Sequence, residues 1–198
     1  MHARKGRWAA ALTALFLAAV LPRPALAQAG VSLEDRVRQC AGCHGANGNA
    51  TIPGTPSLAG QPRVFLENYL VMTREGIRGT AVMQALLKDL PDAEIVALSR
   101  HYAALPATAS GEPADKALFE RGRQVAAKNR CGTCHLSTYR GREQMPRLAG
   151  QREDFLQEVM LQYRQNRRPG GDTLMAAALY GLPESDFKAL AHYFSRLK

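Results

Sequence analysis

Residues 40–44 read Cys-Ala-Gly-Cys-His, and residues 131–135 read Cys-Gly-Thr-Cys-His. A second shared element follows each motif, because Pro56-Ser-Leu-Ala-Gly-Gln61 recurs as Pro146-Arg-Leu-Ala-Gly-Gln151. The remaining landmarks keep the same order at offsets of 91 or 92 residues: Met83 with Met175, Leu90-Pro91 with Leu182-Pro183, and His101-Tyr102 with His192-Tyr193. This self-similarity predicts two copies of one domain in tandem.

The repeats divide the 198 residues into four segments. Residues 1–27 are predicted to be a cleaved signal peptide, because a basic start and an apolar stretch over residues 8–21 precede Ala25-Leu26-Ala27, a small-x-small cleavage site. An uncleaved membrane anchor is the alternative. Residues 28–105 and 115–198 are the two predicted domains, and residues 106–114, rich in proline and small residues, are the predicted linker.

Each domain is predicted to be all-α. Apolar spacing typical of amphipathic helices covers residues 63–74 and 153–164, and residues 33–39 and 115–128 form helices before the cysteine motifs. Pro91 and Pro183, each followed by acidic residues, are expected to open the last helix of each copy. With 46% hydrophobic and 22% charged residues, the composition excludes a disordered or multispanning membrane chain.

Two thiols followed at once by histidine are the attachment signature of c-type haem. Each thiol adds across a haem vinyl group, and the adjacent histidine then supplies a nitrogen to the iron. We therefore predict two covalent haem c groups, attached through Cys40 and Cys43 and through Cys131 and Cys134. Three alternatives for these motifs fit less well. A zinc ribbon places its cysteine pairs much closer together, and a thioredoxin-like redox pair needs a βαβ unit. A disulfide within each motif would give no role to the histidines.

The histidines of the motifs, His44 and His135, are the predicted proximal iron ligands. The sixth ligand is chosen by the repeat, since Met83 and Met175 recur in loop-like stretches before the last helix. The other candidates are Met72, His101, Met145, Met160 and His192. Of these, only the histidines recur, and each precedes a tyrosine inside a predicted helix, which favours a packing role. The alternative for the two recurring methionines is that they fill gaps in the core.

Pro56 and Pro146 open the second shared element, and we expect their carbonyl groups to accept a hydrogen bond from the proximal histidines. A plain turn is the alternative for these prolines. An iron held by histidine and methionine has no vacant position for oxygen, peroxide or substrate. Two such sites predict an electron carrier rather than an enzyme.

The mature chain resembles the dihaem cytochrome c4 family, which is built from two class I cytochrome c domains. The resemblance rests on the Cys-x-x-Cys-His motifs, the two Pro-x-Leu-Ala-Gly-Gln elements and the recurring methionines; the second motif departs from it by continuing as Leu136-Ser-Thr-Tyr139 where the first reads Gly45-Ala-Asn-Gly48. It implies a periplasmic carrier of two electrons, the axial pairs His44/Met83 and His135/Met175, and a pseudo-twofold arrangement of the domains. Dihaem subunits of flavocytochrome sulfide dehydrogenases use similar domains. A small dihaem peroxidase or thiosulfate-oxidising enzyme is a further alternative.

The predicted donors are a quinol-oxidising complex or a periplasmic dehydrogenase, and the predicted acceptors are a terminal oxidase or reductase. The net charge of +9 falls to +5 without the signal peptide, and all of that excess lies in the second copy. Residues 28–110 hold 7 basic and 7 acidic side chains, whereas residues 111–198 hold 15 and 10. This asymmetry predicts an acidic docking partner or an anionic membrane surface, with a solvated basic face as the alternative. No nucleic-acid partner is expected.

Overall fold

The structure, a computed structural model, describes residues 31–109 and 115–198. In this part of the chain the helices are α1 (Leu33–His44), α2 (Arg63–Arg74), α3 (Ala81–Leu87), α4 (Asp92–Ala104), α5 (Lys116–Lys128), α6 (Gly132–His135), α7 (Glu153–Arg164), α8 (Thr173–Leu179) and α9 (Glu184–Arg196). The only β-type pairing among these residues is one isolated bridge, so the all-α prediction is confirmed. The predicted signal peptide and residues 110–114 of the predicted linker lie outside the described residues.

Most helices begin where a polar side chain or a proline marks their N-terminus. The hydroxyl of Ser32 accepts from the N–H of Asp35 at 3.1 Å to cap α1, and Asp115 caps α5 in the same way at 3.0 Å. Pro91 and Pro183 precede α4 and α9, as predicted. These residues satisfy N–H groups that have no partner inside the helix, or, for proline, preset the entering backbone.

The structure differs from the sequence prediction at the motif helices and at the methionines. Helix α1 was expected to end near Gln39 but continues through the motif to His44, and a separate short helix, α6, contains most of the second motif. Met83 and Met175 lie on α3 and α8, where loops were predicted. Helices of seven residues show too few turns for a periodic pattern, and they depend on caps and packing for their stability.

The buried side chains form two separate clusters, one in each copy. In the first half (residues 31–105) they come from α2, α3 and α4 and the turn before α4: Leu66, Leu87, Leu90, Ile95, Leu98 and Tyr102. In the second half (residues 115–198) the larger members are Tyr139, Leu156, Met160, Leu179, Phe187, Leu190, Tyr193 and Phe194. Cys40 and Met83 pack against the first cluster, and Cys131 and Met175 against the second.

The second half is held together by a close crossing of α5 and α9. A Cβ atom built on Gly122 of α5 would lie 2.1 Å from the carbonyl oxygen of Ala189 and 2.6 Å from the Cβ of Tyr193. Only glycine therefore lets the two backbones approach this closely. None of the helices in the described residues has the length and apolar character needed to cross a membrane.

Two backbone positions with positive φ follow each cysteine motif. In the first half they are Gly45 (φ 82°) and Gly48 (φ 73°), and in the second half Leu136 (φ 68°) and Tyr139 (φ 55°). The carbonyl of the later position accepts hydrogen bonds from both N–H groups of the following Leu-Ala pair, at 2.7 and 3.0 Å in the first half and 2.8 and 3.0 Å in the second. The two halves thus share one backbone path around the histidine, although only the first uses glycine for it.

Candidate haem sites

The first site is organised by the last turns of α1. Cys40 and Cys43 are three residues apart and therefore project from neighbouring positions on the helix surface. Cys40 is half-buried and Cys43 exposed, whereas His44 is only 6% exposed. The Nδ1 atom of His44 lies 2.8 Å from the carbonyl oxygen of Pro56.

The second site repeats this arrangement on the short helix α6 and the residue before it. Cys131 is half-buried, Cys134 is exposed, and His135 is 6% exposed. The Nδ1 atom of His135 lies 2.9 Å from the carbonyl oxygen of Pro146. The structure thus brings each predicted histidine together with its predicted proline.

These contacts suit the histidines for binding iron. A carbonyl oxygen can only accept, so Nδ1 of each ring donates its proton and Nε2 keeps its lone pair for a metal. Burial lowers the pKa of His44 and of His135, with the proline carbonyls opposing that shift, so each imidazole is neutral near pH 7. No disulfide bond joins any of the four cysteines, so all four sulfur atoms are available for thioether bonds.

The donor set fits haem better than a bare metal ion. Among the described residues, no three His, Cys, Asp or Glu side chains converge to hold a metal ion by themselves. A structural zinc site needs four such ligands. One half-buried thiol, one exposed thiol and one buried histidine suit a porphyrin held by two thioether bonds and one nitrogen.

The methionines lie at the start of short capped helices. The hydroxyl of Thr80 accepts from the N–H of Met83 at 3.3 Å, and the carboxylate of Asp172 accepts from the N–H of Met175 at 3.2 Å. Each methionine is half-buried against the core of its own half, whereas Met160 is 5% exposed within the second core. Met83 and Met175 as sixth ligands therefore remain a prediction.

His192 is occupied by the protein itself. Its Nδ1 atom lies 3.2 Å from the Glu153 carboxylate, and its Nε2 atom accepts from the N–H of Asp115 at 3.0 Å. Both ring nitrogens are thus engaged, which favours the packing role. Its counterpart His101 packs edge-on against Tyr102, with ring centroids 5.0 Å apart.

Sequence reasoning assigned no role to the glutamines that close the Pro-x-Leu-Ala-Gly-Gln elements. Gln151 accepts from the N–H of Ser57 at 2.7 Å and donates to the carbonyl of Ser57 at 2.9 Å. Gln61 makes the reciprocal pair with Arg147 at 2.9 and 3.0 Å. Both glutamines are 5% exposed. The signal available in the sequence was a polar residue that recurs at the same position of both copies.

Further contacts flank these two reciprocal pairs, the glutamine clasps. The N–H of Gly54 donates to Asp154 at 2.7 Å, and Arg152 donates to the carbonyl of Ala50 at 3.2 Å. Burial alone would raise the pKa of Asp154, but hydrogen bonds from Arg152 and from the N–H of Gly54 hold it below its ordinary value.

Cations without ion pairs lie near the second motif. Arg130, Arg140 and Arg142 are exposed and form no ion pair with an acidic side chain of the described residues. Burial and the charge of Arg140 lower the pKa of Arg147, so these two cations lie close enough to repel each other. In the first half, by contrast, Arg36 and Arg63 pair with acids of the same half at 2.6 Å.

Two family models match the chain in tandem. Residues 25–101 match the model described as cytochrome c oxidase, cbb3-type, subunit III, and residues 119–198 match the model described as cytochrome c. The matches cover both cysteine motifs and both recurring methionines. The molecule is therefore a tandem of two cytochrome c domains.

Relatives match the chain over most of its length. Cytochrome c-552 of Acidithiobacillus ferridurans is 30% identical, over 93% of this chain and 85% of its own. Cytochrome c4 of Pseudomonas aeruginosa is 28% identical, over 80% and 83%. A protein of Thiomonas intermedia named thiosulfate dehydrogenase electron acceptor is 29% identical, over 79% and 77%. The crystal structure of reduced cytochrome c4 from Pseudomonas stutzeri superposes with a TM-score of 0.77 at 25% identity, covering 84% of this chain and 97% of that one.

The chain belongs to the dihaem cytochrome c4 family. It is a dihaem electron-transfer cytochrome, and it carries two covalently attached haem c groups, one at each Cys-x-x-Cys-His motif.

Proposed function

We propose that the protein is a periplasmic electron carrier. It accepts electrons from a quinol-oxidising complex or a dehydrogenase and delivers them to a terminal oxidase or reductase. In this proposal residues 1–27 direct export and are removed before Gln28, residues 28–105 and 115–198 each hold one haem, and residues 106–114 link them.

The equivalence of the two sites is the observation that supports this proposal. Each has a thiol pair, a buried histidine whose Nδ1 lies within 2.9 Å of a proline carbonyl, and a half-buried methionine at the start of a capped helix. Haem, when bound, supplies a one-electron ferric–ferrous couple. His44 with Met83 and His135 with Met175 fill both axial positions in this proposal, so the protein has no place for a substrate on iron and acts as a carrier.

An absorption spectrum of the haem-loaded protein, oxidised and reduced, with and without carbon monoxide, tests this proposal. We expect two low-spin haems, the charge-transfer band of a methionine sulfur on ferric iron, and no reaction with carbon monoxide. Ready binding of carbon monoxide by one haem would instead indicate an open iron and favour an enzyme, a small peroxidase or thiosulfate-oxidising protein.

A second candidate is a haem subunit held by a dehydrogenase. The Thiomonas relative, named thiosulfate dehydrogenase electron acceptor, favours this candidate. It also favours a thiosulfate dehydrogenase over a flavocytochrome sulfide dehydrogenase as the partner. Purification of the tagged protein from its source organism separates these functions. A dehydrogenase recovered in equal amount after high-salt washing supports the subunit, and recovery of the cytochrome alone supports the mobile carrier.

The docking partner is proposed to be an acidic redox protein that approaches the second half. Arg130 and the exposed pair Arg140 and Arg142 flank the second motif. The electrostatic field of such a group of cations accelerates the encounter with an oppositely charged partner and weakens as salt is added. An anionic membrane surface is the alternative, and binding to vesicles containing anionic lipid at physiological salt distinguishes the two.

A further inference from the structure

We propose that each half of the protein tunes the haem of the other half through one glutamine. Gln151 acts on the site of His44, and Gln61 acts on the site of His135. Both are positioning residues, since each acts through a peptide group and does not touch the iron. The inference rests on the proposed role of His44 and His135 as iron ligands.

The peptide group between Pro56 and Ser57 carries the effect in the first half. Its carbonyl oxygen lies 2.8 Å from Nδ1 of His44, and its N–H donates to the amide oxygen of Gln151 at 2.7 Å. These two atoms belong to one planar, resonance-stabilised unit, so polarising the N–H increases the negative charge on the oxygen. A more negative oxygen draws the Nδ1 proton more strongly and makes the imidazole a more basic ligand.

The same connection runs in the opposite direction in the second half. The peptide between Pro146 and Arg147 has its carbonyl 2.9 Å from Nδ1 of His135, and its N–H donates to Gln61 at 2.9 Å. Each proximal histidine thus depends on a side chain from the other half, which lies 107 residues away in the chain for His44 and 74 residues away for His135.

Burial and double hydrogen bonding make these glutamines suited to this role. Both are 5% exposed, and each amide also donates to the carbonyl of the residue from which it accepts, at 2.9 Å for Gln151 and 3.0 Å for Gln61. Two bonds fix the amide plane, and a surrounding of low dielectric strengthens both.

The direction of tuning follows from the chemistry. A more basic imidazole stabilises the ferric more than the ferrous state, which lowers the reduction potential of its haem. Removing the amide therefore raises the reduction potential of the haem in the other half. If the substitution instead only weakened the contact between the two halves, water would enter both haem sites. Water would stabilise the more highly charged ferric centres and lower both reduction potentials.

The test compares Gln151→Leu and Gln61→Leu with Gln124→Leu and Gln39→Leu, which remove exposed glutamines from the same two halves. The fraction of each haem reduced is followed in a potentiometric titration by NMR of its haem methyl signals. These signals are assigned through contacts with residues of their own half. Gln151→Leu should raise the potential of the first haem and Gln61→Leu that of the second, each by about a twofold change in the ferrous-to-ferric ratio at fixed potential.

A shift confined to the haem of the mutated half, a fall of both potentials, or no change would each overturn the inference. Gln151→Glu covers the case in which the leucine variant does not load haem. It keeps an oxygen to accept from Ser57, so the potential of the first haem should not rise, and a rise would overturn the inference. Because the parent protein is first checked for two low-spin haems that ignore carbon monoxide, failure of the proposed ligands is seen separately.

Discussion

The two halves build the same backbone around the proximal histidine from different residues. The first half places glycine at both positions of positive φ after its motif, and the second half places Leu136 and Tyr139 there. A Cβ at Gly48 would lie 2.9 Å from the Tyr102 ring, so the first half has no room for a side chain at that position. In the second half, the Tyr139 ring packs against Tyr193 and Phe194 at 5.7 and 4.8 Å between centroids.

The hydrogen bonds around the site therefore fix the dihedral angles at these positions, and either glycine or a larger residue can occupy them. Left-handed backbone costs a non-glycine residue on the order of 1–3 kcal/mol. Aromatic pairs contribute about 0.5–1.5 kcal/mol each beyond their area burial, so the contacts of Tyr139 offset much of its strain. Leu136, which is only half-buried, has no comparable aromatic compensation.

Replacing the proposed sixth ligands should have the largest effect and should act in one half at a time. We expect Met83→Ala to open only the first iron and Met175→Ala only the second, so each variant binds carbon monoxide at half of its haem. Absorption spectra of the reduced proteins measure this. Met160→Ala is the control, since truncating this core residue should lower stability without any carbon monoxide binding. A Met175→Ala protein with two low-spin haems would disprove that assignment.

Truncating Tyr139 in the second half should have the next largest effect. Tyr139→Gly relieves backbone strain but leaves a void beside Tyr193 and Phe194, and we expect a net loss of about 3 kcal/mol in the free energy of unfolding. Urea unfolding of the haem-loaded protein measures the change. The matched control is Tyr180→Gly, because Tyr180 is 88% exposed and its loss should cost less than about 1 kcal/mol. Equal losses would mean that the aromatic contacts do not compensate the strain.

Substitutions at the first position after each motif should change the free energy of unfolding in opposite directions, because one introduces glycine and the other removes it. Leu136→Gly removes strain at a half-buried site and should raise the free energy of unfolding by about 1 kcal/mol. Gly45→Leu should lower it, because a Cβ there would lie 2.4 Å from the carbonyl oxygen of Asn49. Native-state hydrogen exchange reports each half separately. Destabilisation by Leu136→Gly would show that this leucine makes contacts worth more than its strain.

The charge difference between the halves should appear in reaction with a small anion. Replacing Arg140 and Arg142 with glutamine should lower the rate of oxidation by hexacyanoferrate(III) about threefold at low ionic strength, because the field near the second site is lost. Stopped-flow spectroscopy measures the rate. The control replaces Arg38 and Arg63, two exposed cations of the first half, and should have a smaller effect. Equal effects would mean that only total charge matters.

The smallest effect should come from Asp154, which makes the free energy of unfolding depend on pH through its contact with the other half. Asp154 faces the first half, whereas the residue at its equivalent position there is Val64. Its folded-state pKa lies below the ordinary value, so its stabilising effect is present above the unfolded-state pKa and is lost as pH falls through the folded-state pKa, below about pH 4. When the pH falls from 6 to 3, the free energy of unfolding should decrease more for the parent than for Asp154→Asn, and the difference should be below about 1 kcal/mol. Urea unfolding at both pH values measures this, and a larger loss in the variant would contradict it.

The strongest patterns in the sequence predicted the fold and the attachment motifs. The bounds of α2 and α7 agree with prediction because each has three turns of amphipathic spacing. The positive φ of Leu136 could not be predicted, since leucine is poorly suited to it and the surrounding hydrogen bonds impose it. The partners of Gln61 and Gln151 could not be predicted either, because a tandem repeat does not specify which surfaces of its copies meet.

The glutamine clasps have a consequence for how such a chain could arise. Each copy presents both a glutamine and the peptide that the other copy's glutamine binds, which is the self-complementary pattern of a twofold dimer. One domain with this surface would pair with an identical molecule through the same two contacts. Gene duplication and fusion would then add no new contact. Covalent linkage would replace dilution with a high effective concentration, so pairing would no longer depend on how much protein the cell makes.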